Sequence, residues 1–305
     1  LVQNQGYNQY GNGSQIRSTL TVQQVLDKGF TSAQNIVFGL DQNVSDGVID
    51  ASGLAGALTL RGTNQSDTLT GNNDNNTIHL LNENDSGAGR GVDAVTAGGG
   101  DDIINWDMIQ YSQWDKNFSS VDTASRTYFL TGSLDGGVGD DTLTLNFSNN
   151  YFYHAWGGNT WSESESPSWY VNLTGLDVTN IETLTVINEG RDYATPSGFV
   201  LTTGQLASLN KATGLTAVTI KGGGIVDLAQ LAALNITNWK IGDDLAYTFT
   251  GTSASDTVEV GTGQTVVNAG DGNDTIRISD KTDPSNVLNG GAGQDTLVIS
   301  GADVD

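Results

Sequence analysis

The sequence predicts an all-β chain wound as a β-solenoid with glycine turns, a few short helices and an aromatic-rich loop insertion. Three observations predict it. From Val48 onward, short β-branched and apolar runs alternate with Gly/Asn/Asp turns. A nine-residue frame recurs seven times along the chain. Glycine stands at 40 against 3 prolines, a balance that suits many tight turns and excludes both collagen and proline-rich linkers.

Residues 1–18 are rich in Gln, Asn and Gly without an apolar period, and read as a polar arm or linker. Thr21–Lys28 has helical spacing, with Val22, Val25 and Leu26 on one face and Gly29 as the stop. A first β-solenoid segment is expected over 19–150, with strand-type runs at 57–60, 67–70, 77–80 and 141–147. The segment 151–242 joins an aromatic loop to further strands at 182–187 and 217–220. It also holds helical spacing at Thr203–Ala212 and Asp227–Leu234. A second repeat segment, 243–305, carries runs at 247–250 and 274–278. Residues 105–170 hold five of the six Trp and 14 of the 23 aromatic residues.

The repeated frame places a residue with a carboxylate sixth and an apolar residue two places later. It starts at Gly62, Gly71, Ala97, Gly136, Gly251, Ala269 and Gly290, which puts Asp67, Asn76, Asp102, Asp141, Asp256, Asp274 and Asp295 in the sixth position. The glycines allow a turn that Cβ-bearing residues would strain, and the apolar residue points inward as a short strand demands. Asp256 and Asp274 are two nine-residue units apart, so one coil brings both to the same edge. Asp295 follows in the same stack if the loop at Asp283-Pro284 absorbs three extra residues.

Coils of parallel strands stack about 4.8 Å apart. Carboxylates at that spacing repel unless a cation lies between them. Asp and Asn also make turns for their own sake, but seven occurrences in one frame exceed what turn chemistry asks. Hard oxygen donors without His or Cys point to Ca²⁺ rather than zinc.

These units resemble the hemolysin-type (RTX) calcium-binding nonapeptide GGxGxDxUx, where U is a large apolar residue. Gly136–Thr144 and Gly290–Val298 match it in full, and Ala97–Asn105 and Ala269–Arg277 differ by one Ala. The resemblance implies a parallel β-roll with Ca²⁺ held between turns by Asp carboxylates and Gly carbonyls. Carried onto this chain, the ligands are Asp102, Asp141, Asp274 and Asp295, helped by Asp101, Asp140 and Asp271. The carbonyl positions are Gly100, Gly137, Gly139, Gly270, Gly272, Gly291 and Gly293. The copies at 62, 71 and 251 are degenerate, and read as turns of the coil without metal. The cadence of Val178–Val186 is similar to bacterial surface-layer proteins and giant RTX adhesins. The resemblance also implies secretion.

Thirty-five acidic against twelve basic residues give a charge of −23. That excludes a nucleic-acid binder working through a basic face. No apolar run is long enough for membrane insertion. Without Cys there is neither a disulfide framework nor a thiolate zinc site. An EF-hand frame at Asp41–Ser52 fails, because its glycine is one place late and Ser52 stands where a bidentate Glu is needed.

The composite expectation is an extracellular, calcium-folded structural protein of a bacterial cell surface. It would self-associate into a lattice or fibre, because solenoid ends offer open strand edges. The alternative is a carbohydrate-binding module of a secreted adhesin, with Trp106, Trp114, Tyr153, Trp156, Trp161 and Trp169 as platforms for a glycan. The same rings could pack a loop onto the solenoid or anchor a protein contact. A lesser alternative is a calcium-dependent polysaccharide-active enzyme recruiting Arg90, Lys116 or Arg126. No nucleophile frame supports catalysis, and His79, next to Ile78 in a strand pattern, reads as a wall residue.

Overall fold

A computed structural model describes residues 37–39, 47–63, 66–84, 92–110, 126–147, 169–188, 196–215, 217–279 and 283–300. The arm at 1–18, the helix expected at Thr21–Lys28, and Arg90, Lys116 and His154 lie outside these residues. The chain divides into two compact units. The first comprises Leu1–Ser119, Gly132–Gly158 and Asp177–Thr195, and the second Ser120–Thr131, Asn159–Leu176 and Pro196–Asp305.

In the first unit, successive strands alternate between two parallel sheets. One has the order β1 (Val37–Gly39), β3 (Thr59–Arg61), β5 (Thr77–Asn84), β7 (Ile103–Gln110), β9 (Thr142–Asn146), β11 (Thr183–Ile187). The other runs β2 (Gly47–Asp50), β4 (Asp67–Thr70), β6 (Asp93–Gly99), β8 (Arg126–Val138). Changing sheet at every strand makes each pair of strands one coil of a solenoid. Period-two alternation then puts every second residue inside. Leu60, Ile78, Ile104, Leu143 and Leu184 pair in series across the first sheet, and all are buried. Ile49, Leu69, Val95 and Leu134 form the facing row. Full burial of each such side chain contributes roughly 1.5–3 kcal/mol. The inward row is therefore what selects the register.

In the second unit, β10 (Trp169–Thr179), β12 (Gly198–Thr202), β14 (Val218–Lys221) and β16 (Trp239–Ile241) are neighbours in one parallel sheet. A second holds β15 (Gly224–Asp227), β17 (Tyr247–Thr252), β19 (Thr265–Gly270) and β21 (Val287–Asn289). A third holds β18 (Thr257–Glu259), β20 (Thr275–Ser279) and β22 (Thr296–Ser300). The rows Val226–Phe249–Val267 and Val258–Ile276 line the interior of the coil, and Leu288 and Leu297 continue them in register on the last described strands.

Two short helices replace strands here. Helix α1 (Thr203–Ser208) starts in a capping box, Thr202 Oγ1 accepting from Gln205 N and Gln205 Oε1 from Thr202 N. Helix α2 (Leu228–Ala233) is capped by Asp227. The expected helix over Thr203–Ala212 ends early, and Lys211–Thr213 is strand β13. Leu206, Leu209 and Ala212 are all buried as helical spacing requires, but Ala212 reaches the interior from the sheet. The two helices share a device that the apolar pattern does not reveal. Gln205 Nε2 donates to the carbonyls of Leu173 and Leu176, 2.8 and 2.9 Å away. One coil later, Gln230 Nε2 donates to Leu206 and Leu209 in the same way.

Candidate metal centres

Apart from Asp67, the sixth-position residues form ladders along one edge of each unit. A side-chain oxygen on each coil accepts the backbone N–H of the sixth-position residue on the coil before. In the first unit, Leu58 N donates to Asn76 Oδ1 (3.3 Å), Asn76 N to Asp102 Oδ1 (2.6 Å), Asp102 N to Asp141 Oδ1 (2.7 Å) and Asp141 N to Glu182 Oε2 (2.9 Å). The steps span 18, 26, 39 and 41 residues, so insertions of very different length leave the stack intact. In the second unit, Asp256 N donates to Asp274 Oδ1 (2.8 Å) and Asp274 N to Asp295 Oδ1 (3.0 Å). The expected 18- and 21-residue steps are therefore both present.

A second, outer ladder runs in the opposite sense. Asp101 N donates to Asn75 Oδ1 (3.1 Å) and Asp140 N to Asp101 Oδ1 (3.0 Å). Asp101 and Asp140 are exposed and hold the turn together one place outside the carboxylate row. Asp271 joins neither ladder through its side chain, which is exposed; its N–H donates to the Thr252 carbonyl.

Glycine makes this close stacking sterically accessible. Gly137 and Gly139 sit at φ +98° and +151°, and a Cβ on either would overlap the carbonyl oxygen of Gly98 or Gly100 on the coil before. Gly291 and Gly293 stand in the same relation to Gly270 and Gly272. The turns thus line each edge with carbonyl oxygens.

In Asp102, Asp141 and Asp274 one carboxylate oxygen accepts the ladder N–H, and the Oδ2 atom is the second acceptor. What happens to the other sorts the repeats into two kinds. In the degenerate copies it is satisfied within the turn. Asp67 Oδ2 accepts from Thr63 N (2.6 Å) and Thr63 Oγ1 (3.1 Å), and Asp256 Oδ2 from Thr252 N (2.7 Å) and Thr252 Oγ1 (2.9 Å). The Thr occupies the place of the second glycine of the frame. In three of the copies that keep the Gly-x-Gly-x-Asp core it is not satisfied: Asp102 Oδ2, Asp141 Oδ2 and Asp274 Oδ2 are buried without a hydrogen-bond partner, on residues 0%, 0% and 1% exposed. Three buried, negatively charged oxygens beside backbone carbonyls are costly as they stand. A hard divalent cation removes that cost.

The electrostatics agree. Burial pushes the Asp102 carboxyl up to about 6, with the Asp141 and Asp101 charges adding to the rise and the Asn76 N–H opposing it. Asp141 is raised for the same first reason, reinforced by Glu182, Asp101 and Asp135. Among the described residues no group of three or more His, Cys, Asp or Glu converges on one point. A site here is built from paired carboxylates and carbonyls, a donor set that suits Ca²⁺.

Asp295 extends the ladder from the last described coil. Three members of the arrangement lay beyond the frame search. Glu182 opens a Glu-Thr-Leu-Thr run that copies Asp141-Thr-Leu-Thr, and that echo was the available signal. Asn180, two residues before it, lies at φ +51°. Asp93, on the opposite edge, accepts the Asp67 N–H at 3.0 Å. It is 4% exposed, and burial first, then the Asp67 charge, push it up to about 7 against the pull of that N–H. Its signal was Gly89-Arg-Gly91-Val-Asp93-Ala-Val95, which has the frame's spacing.

The aromatic expectations fare differently. Trp106 is 3% exposed and pairs in register with Leu80 and Leu145, so it is a core residue and not a surface platform. Alternation places it inside because Ile104, two residues earlier, already points inward. Trp169 opens β10, while Trp114, Tyr153, Trp156 and Trp161 lie outside the described residues. Arg126 opens β8. His79 lies in the wall of the solenoid, its Nδ1 3.8 Å from Asp107 Oδ2.

Fold and site together define a parallel β-solenoid whose edge turns carry buried carboxylates between closely stacked glycine turns. The family model that matches is the RTX calcium-binding nonapeptide repeat, in four copies at residues 53–86, 132–160, 250–277 and 285–298. The chain carries the RTX nonapeptide repeat in those segments, and the ion such repeats bind is Ca²⁺. Searches of curated proteins and of solved structures return no match. No helix among the described residues is long and apolar enough to cross a membrane.

Proposed function

We propose that this chain is an extracellular structural protein of a bacterial cell surface, folded by Ca²⁺ and assembled into a lattice or fibre. The observation that carries it is the row of buried, unpartnered carboxylate oxygens. A chain with a charge of −23 and such a row gains its stability only where Ca²⁺ is abundant, as it is outside cells. Assembly is supported by the architecture itself: parallel sheets present open strand edges, and such edges favour strand addition.

Light scattering and thermal unfolding on one sample, in millimolar Ca²⁺ and then in excess chelator, test both parts. Loss of stability and of particle size together is the expected result. A monomer at high protein concentration in Ca²⁺ refutes assembly. Unchanged melting on chelation refutes the calcium-folded reading.

A further inference from the structure

The carboxylate ladder of the first unit ends on a coil that carries no Gly-x-Gly-x-Asp frame. That coil enters through Asn180, in the left-handed region, followed by Ile181 and Glu182. A Cβ built on Gly136 would overlap two oxygens at once, the Asn180 carbonyl and Asp141 Oδ2. Asp141 is fully buried, and this oxygen has no hydrogen-bond partner. Nearby donors are already engaged elsewhere: the Asn180 amide donates to Asp135 Oδ1 (2.8 Å), and the Asp141 N–H to Glu182 Oε2 (2.9 Å). The Asn180 carbonyl and the buried Asp141 oxygen thus converge on the space that the missing Cβ of Gly136 leaves open.

An earlier step of the same ladder shows the metal-free solution to the same geometry. At Gly71 the oxygen of the following coil is the Ala97 carbonyl, and the sixth-position atom beside it is Asn76 Nδ2. That amide donates to Ala97 O (3.2 Å) and to Asn72 O (3.4 Å). Glycine, sixth-position side chain and next-coil carbonyl occupy equivalent places in both steps. An amide nitrogen satisfies the carbonyl in one; a second oxygen opposes it in the other.

We infer that the space at Gly136 is a Ca²⁺ site completed from outside the nonapeptide, by Asp141 Oδ2, the Asn180 carbonyl and the carboxylate charge of Glu182, and that Asn76 closes its own step without metal. This rests on the calcium-folded reading and adds to it a site whose second half is not a repeat. Where no Thr at the second position closes the turn, as Thr63 and Thr252 do, the residue at position six becomes a switch: Asp makes the step metal-dependent, Asn makes it metal-free.

The test is calorimetric titration of Ca²⁺ into the chelator-stripped full chain, with stoichiometry checked by equilibrium dialysis. Asp141→Asn should bind one ion fewer than wild type. In chelator it should melt no lower, because its new amide can serve the Asn180 carbonyl as Asn76 serves Ala97. Glu182→Gln keeps an acceptor for the Asp141 N–H but removes a charge, so one site should weaken about tenfold or more with the count unchanged. Asn76→Asp should bind one ion more. Wild-type stoichiometry in Asp141→Asn overturns the inference. Should that variant fail to fold, unchanged affinities in Glu182→Gln together with an unchanged count in Asn76→Asp overturn it equally. Absence of any bound ion in wild type removes the calcium-folded reading itself, a distinct outcome.

Discussion

Replacing Asp274 by Asn should change the sign of its effect on stability when calcium is removed. Asp274 Oδ1 accepts the Asp256 N–H at 2.8 Å, and the amide oxygen of Asn can keep that bond. What changes is the other atom, Oδ2, which is buried and has no hydrogen-bond partner. Without metal, a buried unsatisfied polar atom costs about 1–3 kcal/mol, more when charged. Exchanging it for an NH₂ that can donate to a carbonyl of the turn recovers most of that. With free Ca²⁺ at a hundred times the dissociation constant, a bound site contributes about 2.7 kcal/mol, which the variant loses. The second unit of the variant should therefore melt lower than wild type in Ca²⁺ and at or above wild type in chelator. Differential scanning calorimetry in the two buffers reads both numbers. Destabilisation of equal size in both would show that Asp274 acts only as a turn former, and that its free oxygen is not a ligand.

Other consequences follow from the same geometry. Without metal, burial pushes the Asp102 carboxyl up to about 6 and the Asp93 carboxyl up to about 7, both above the ordinary carboxylate value of 3.8. The folded state then holds more protons than the unfolded one between those values, so the chelated protein should gain stability as pH falls from above 7 to about 4. Calcium affinity should move the opposite way, falling about tenfold per pH unit below 6 for each proton displaced. A chelated protein that loses stability over that window contradicts the burial argument. Gly139→Ala places a Cβ on the Gly100 carbonyl at φ +151°, and should cost about 2 kcal/mol or more by urea unfolding in Ca²⁺. Wild-type stability would mean the coils can spread there. Gln230→Ala leaves the Leu206 and Leu209 carbonyls short of a donor and should cost about 1–2 kcal/mol. That loss should be the same with and without Ca²⁺, since α2 lies on no metal edge; a calcium-dependent loss would contradict this.

Much of the architecture was legible because two periods coincide. The inward residue two places after the sixth position fixes which face of each strand is buried, and the sixth position fixes the edge. Hence β4, β9, β11, β14, β17 and β20 fall where short β-type runs stand. The long steps were not legible. Nothing in composition says that Asp141 stacks on Asp102 across 39 residues or Glu182 on Asp141 across 41, because a loop that leaves and re-enters one coil adds closure entropy only slowly with length. The glutamines of α1 and α2 escaped for another reason. Gln-Leu-Ala occurs at both 205–207 and 230–232, but the apolar pattern explains the helices so fully that the polar residue between them drew no attention. Trp106 is no sugar platform, because alternation within β7 turns it inward even though it opens the aromatic-rich stretch of the chain.

The two kinds of repeat predict that removing calcium loosens the protein unevenly. Where Thr63 holds Asp67, where Thr252 holds Asp256 and where the Asn76 amide holds Ala97 O, the chain itself supplies the donor that closes the turn. Where Asp102, Asp141 and Asp274 leave an oxygen bare, closure needs a cation. The turns are joined in series by the ladder, yet each interior row is apolar on its own and supplies burial whether or not metal is present. Chelation should therefore not melt every coil together. Hydrogen exchange should show amides at 67–70 and 77–80 staying protected while those at 102–106, 142–146 and 275–279 open, by free energies set by the calcium concentration. Uniform loss of protection would mean that the solenoid is one cooperative unit held by its ions, and that the satisfied turns bring it no independent stability.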